Sequence, residues 1–142
     1  MIALALILTL AANVLTTTQV DSQSSNEVIL RVAPIYPPLA QALSMNALCL
    51  AEFEIGSGGV PVDLCVRCST SVPGTPSSYA LDLAARQFVQ AAEVSLIQWR
   101  YPEQYVGVHK SDIRLQFLMV GNTDDDLPDP PAMGECLGPQ IS

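Results

Sequence analysis

Two alternating runs organise the middle of the chain. From Leu48 to Ile55, Cys49, Ala51, Phe53 and Ile55 fall on one face, with Glu52 and Glu54 on the other. That is the period-two pattern of a half-buried strand. Val60 to Cys68 alternates again, placing Val60, Val62, Leu64, Val66 and Cys68 together and Pro61, Asp63, Cys65 and Arg67 opposite. The Gly56 to Gly59 run between them predicts a turn, and the pair a β-hairpin that Pro61 enters at an edge or first position. Ser78 then suits the N-cap of a helix from about Tyr79 to Trp99. Along it Leu81, Ala84, Ala85, Phe88, Ala92, Leu96 and Trp99 recur at spacings of three and four. Pro102 ends that helix, Glu103 to Ser111 reads as a loop, and Ile113 to Val120 as a final apolar strand. Upstream, Val32 to Pro38 is rich in proline and predicts an extended path. Pro38 to Ser44 predicts a short helix with proline in its first turn. The order specifies an α+β fold in two layers: a small antiparallel sheet of about three strands, packed against one long helix, with a short N-terminal helix.

The two ends differ from this core. Met1 to Leu15 is apolar and uncharged, short of the roughly 20 residues of a membrane span and close to a signal-peptide core. Residues 1–22 are therefore expected to be a secretion signal or a short anchor, and 23–31 a flexible lead. One domain is expected over 32–120, followed by an acidic, proline-rich, solvated tail over 121–142. Export is therefore expected, with anchoring in a membrane as the alternative.

Charge and cysteines narrow the function. A formal net charge of −8 with six scattered Lys or Arg residues leaves no basic surface for a nucleic acid. Four cysteines in a short exported chain predict disulfides. Cys49 and Cys68 fall on the inward faces of neighbouring strands and are expected to pair, which leaves Cys65 for Cys136 and would pin the tail to the sheet. Cys65 and Cys68 also have the spacing of a thiol-disulfide exchange motif. Their setting is a strand end, however, and not the helix N-terminus that would lower a thiol pKa. No second cysteine pair supports a zinc site. His109, the only histidine, lies in the expected loop with no nucleophile at a useful spacing. The aspartates from Asp124 to Asp129 lack the turn glycine and final glutamate of a calcium loop. Neither an enzyme nor a cofactor site is expected. Trp99 continues the helix stripe and reads as core, with an aromatic patch shared with Tyr101 as the alternative.

Five short motifs, in order, resemble the C-terminal domain of TonB, the energy transducer that contacts outer-membrane receptors. Tyr36-Pro37 with Ala40-Gln41-Ala42-Leu43 is similar to that family's opening helix. Phe53, Ile55, Gly59 and the Asp63 to Val66 run are similar to its first hairpin, and Phe88, Ala92 and Trp99-Arg100-Tyr101-Pro102 to its helix and tryptophan motif. Gly107 with Ile113, Leu115 and Phe117 is similar to its last strand. Ala47 stands where the family usually carries glycine, the proline after the tryptophan comes one residue early, and four cysteines are unusual. The resemblance implies a binding module that adds a receptor segment, the TonB box, as an extra strand along Ile113, Arg114, Leu115, Gln116, Phe117 and Leu118. It also implies a periplasmic location, with inner-membrane anchoring as the alternative, and motor partners, ExbB and ExbD, for a longer form. Pairing of the same strand with a second copy or with the tail is the alternative fate of that edge. The competing functions are a small exported thiol-disulfide protein using Cys65 and Cys68, and a truncated full transducer.

Overall fold

The computed structural model describes residues 28–133. The expected signal segment and Cys136 lie outside the described residues. Within them the elements are α1 (Pro38–Ala42), β1 (Asn46–Ile55), β2 (Pro61–Ser71), α2 (Ser78–Leu96) and β3 (His109–Phe117). No described helix is long and apolar enough to cross a membrane. The sheet is antiparallel in the order β2-β1-β3, so the most apolar strand is central and both neighbours are edges. The α+β fold with one main helix and a short one is as the hydrophobic pattern predicts.

Each element has a local cause. Pro37 and Pro38 start α1 with a preset φ, and Ser77, one residue ahead of the expected cap, accepts from the Ala80 N–H to start α2. The stripe of α2 buries Ala84, Phe88, Ala92 and Leu96 against Met45, Ala47, Cys49, Ala51, Phe53 and Ile55 of the β1 segment. Phe88, Phe117 and Tyr36 form an aromatic cluster joining helix, last strand and lead, with ring centroids 4.9 to 5.9 Å apart.

Three expectations change. First, the last strand starts four residues earlier, at His109, and stops at Phe117, so Leu118 to Val120 lie beyond it. His109 is therefore a strand residue opposite Glu54, not a loop residue. Secondly, the second alternating run is interrupted. One residue of β1, Phe53, faces Asp63 and Leu64 of β2, a bulge in which Asp63 adopts φ +54°. The bulge moves Val62 off the inward face to lie opposite Glu54, half exposed, while Leu64, Val66 and Cys68 stay inward. Thirdly, the lead is tied down from Ile29: Leu30 pairs with Arg100, and the Arg31 guanidinium sits 4.7 Å from the Trp99 ring centroid.

The tail also departs from expectation. Its aspartate side chains are exposed, as its composition requires, but its backbone crosses the sheet face opposite α2. The Asp126 carbonyl accepts from Asn46 Nδ2 at 3.3 Å and from Ser71 Oγ at 3.2 Å; the Asp129 carbonyl accepts from Ser69 Oγ. Met119 N–H donates to Asn46 Oδ1 at 2.8 Å. On that face Leu48 and Leu50 are 2% and 8% exposed. α2 thus packs on one face of the sheet, and the tail is held to the Asn46–Ser71 end of the other.

Candidate functional site

The motif residues of the sequence converge on packing. Trp99 is 4% exposed and its Nε1 donates to the Val32 carbonyl at 3.0 Å, which also accepts from Ser95 Oγ. Tyr36 donates its hydroxyl to the Met45 carbonyl, and its burial pushes its pKa up. Pro37 and Ala40 are buried at the start of α1. Tyr101 lies against Phe53, ring centroids 6.0 Å apart, and its N–H donates to the Gly59 carbonyl at 2.9 Å. Gly59 has φ +78°, and a Cβ there would sit 2.1 Å from the Tyr101 carbonyl oxygen. Only glycine fits that crossing. These residues hold the lead, the hairpin turn and the end of α2 in one register.

The cysteines are placed by the same hairpin. Cys49 faces Cys68 in register and is bonded to it, with Cα atoms 4.0 Å apart. Cys65 sits three residues earlier, opposite Glu52 on the tail-covered face, and is also oxidised. Its expected partner, Cys136, lies outside the described residues. Cys65 and Cys68 thus point to opposite faces and are not bonded to each other.

The phase of the β3 edge follows from that disulfide. Facing pairs of an antiparallel ladder alternate between wide hydrogen-bonded and narrow non-hydrogen-bonded, about 5.5 and 4.5 Å between Cα atoms. At 4.0 Å, Cys49 and Cys68 form a narrow pair, so the N–H and C=O of Cys49 point away from β2. They point to Leu115 of β3, its partner in register. Ile113, Leu115 and Phe117 therefore spend their backbone groups on β1, while Arg114 and Gln116 turn theirs outward. No fourth strand pairs with that edge among the described residues, and the tail's hydrogen bonds go to Asn46, Ser69 and Ser71 instead.

The edge is also bounded. Glu52 of β1 faces both Ser111 and Asp112 of β3, a second bulge, with Asp112 at φ +58°. Bulges of this kind disrupt an edge against indiscriminate pairing. Regular edge remains only from Ile113 to Phe117. Leu115 and Phe117 are buried in the core, Ile113 is half-buried, and Arg114 and Gln116 are exposed. Of the six strand-addition residues expected from sequence, five lie on this edge; Leu118 falls past its end. His109 Nε2 lies 3.8 Å from Glu52 Oε2, on the far side of the bulge. No group of three potential metal ligands occurs among the described residues.

Sequence reasoning missed Asn46, Ser69 and Ser71, which hold the tail, and the two bulge aspartates. Asn46 did carry a signal, as a polar residue starting an otherwise apolar run. No protein-family model matches the chain, and no curated protein matches its sequence.

Proposed function

We propose that this domain is a TonB-like binding module of the periplasm, not an enzyme, and that it takes up an outer-membrane receptor segment by β-strand addition along β3. The observation that carries this reading is the outward backbone of Arg114 and Gln116 on a short regular edge that no described segment covers. Strand addition draws affinity from such N–H and C=O groups and needs no catalytic side chain. The five motifs that resemble the TonB C-terminal domain support it: their residues pack the lead, the hairpin turn and the end of α2 together, and Tyr36 and Phe88 against Phe117 of β3. The split of Cys65 and Cys68 between two faces weighs against a thiol-disulfide exchange role.

Proline at Gln116 tests the proposal, because it removes one outward N–H and leaves the ladder to β1 intact. Binding of a labelled TonB-box peptide should be lost while the melting temperature stays near that of the parent. Proline at Leu115 or Phe117 removes an inward N–H and should damage folding instead. Equal behaviour of the two parities, or no binding by the folded, oxidised parent, would contradict the proposal.

A further inference from the structure

We propose that the β3 edge selects an extended segment in which carboxylate and apolar side chains alternate, with a carboxylate set beside Arg114. This deepens the strand-addition reading and rests on it. The chain has a net charge of −8, yet β3 carries His109, Lys110 and Arg114 against a single carboxylate, Asp112 in the bulge. Arg114 is the member of that group on the regular edge. Its side chain is exposed and has no carboxylate partner among the described residues. The other arginines differ: Arg31 stacks on Trp99, Arg100 donates to the carbonyls of Ile97 and Trp99, and Arg67 is engaged on the tail-covered face. Arg86 also has no partner among the described residues, but it stands on α2 and not on a strand.

Geometry then fixes the alternation. An added strand lays successive side chains on opposite faces of the sheet. On the tail-side face its neighbours are Arg114 and Gln116, a cation and an amide that favour a carboxylate. On the helix-side face its nearest exposed neighbour is Ile113, half-buried and apolar. Cross-strand neighbours of opposite charge attract and apolar ones pack, so the two rows select different chemistry. The Asp112 bulge closes the edge at one end and Phe117 ends it at the other, which limits the accepted segment to about five residues. Asp112 and Glu52 stand at the bulge, before the regular edge begins. The tail aspartates act through solvent, where charge is screened within about 8 Å at physiological salt, so Arg114 is the one charge on the regular edge itself.

The test uses three short labelled peptides, alternating valine with aspartate, asparagine or lysine, titrated against the oxidised full chain and its Arg114→Glu, Arg86→Glu and Gln116→Pro variants. The parent should bind the aspartate peptide about threefold to fivefold more tightly than the asparagine one, the size of an exposed ion pair. Arg114→Glu should reverse the order in favour of lysine, and Arg86→Glu should leave it unchanged. Equal affinity for all three peptides, each abolished by Gln116→Pro, would overturn the charge selection and leave strand addition standing. An order that shifts as much with Arg86→Glu as with Arg114→Glu would assign the effect to net charge and overturn it too. Binding of none of the peptides by the folded parent would overturn both.

Discussion

Gly58 and Gly59 share a φ of +78°, but a Cβ at Gly58 meets nothing closer than 3.9 Å, whereas at Gly59 it meets the Tyr101 carbonyl at 2.1 Å. The pair separates conformational cost from collision. Gly58→Ala should cost about 1–2 kcal/mol, the penalty of a left-handed non-glycine residue. Gly59→Ala should cost that and more, about 3 kcal/mol or above, because two backbones must part. Urea unfolding of both variants checks this. Equal losses would mean that the Gly59–Tyr101 crossing yields readily and does not hold the register. The glycine was visible in the sequence as part of a turn; its partner was not, since Tyr101 lies 42 positions away in the numbering and no periodicity links the two.

At the level of elements, apolar periodicity located the hairpin, the long helix and the short helix, because burial on one face imposes it directly. The disulfide between Cys49 and Cys68 was also legible, since both fall on the inward face of paired strands. Bulges were not. Asp63 and Asp112 look like ordinary polar strand positions, yet each adopts a positive φ that aspartate tolerates better than branched residues do. The edge itself was legible as an apolar, lightly charged run, but its bounds were not. The strand extends back to His109 through residues with no apolar pattern and stops where Met119 turns to Asn46. Asp112→Gly should therefore keep or slightly raise stability, and Asp112→Val should lower it by about 1–2 kcal/mol. Chemical denaturation distinguishes them. A neutral valine would show that the bulge does not depend on a left-handed residue at 112.

Across the whole molecule, the tail adds a contact to the two-layer fold, on the sheet face opposite α2. Its composition suggested solvation, and its side chains obey that. What docks it is backbone carbonyls meeting Asn46, Ser69 and Ser71, which no count of charges or prolines reveals. Leu48 and Leu50 lie buried on the face it crosses. Ending the chain after Val120 should expose part of each and cost about 2–4 kcal/mol, less than the roughly 3–6 kcal/mol of fully exposing two buried leucines. For a domain of this size that lowers Tm on the order of 10 °C or more. Cys136→Ser serves as the control for the expected tail disulfide. If it reproduces the entire loss, the docked carbonyls contribute little and the tail is held by its bridge alone.

Amide hydrogen exchange reads most directly whether β3 offers the outward backbone of Arg114 and Gln116 to an incoming strand. In the free protein the amides of Leu115 and Phe117, bonded to β1, should exchange slowly, and those of Arg114 and Gln116 fast. Adding a strand-forming peptide that binds should slow Arg114 and Gln116 and leave the other two unchanged. Protection of Arg114 and Gln116 before any peptide is present would mean that the edge is already covered. Peptide binding that leaves those two amides fast would place the contact elsewhere and contradict the account.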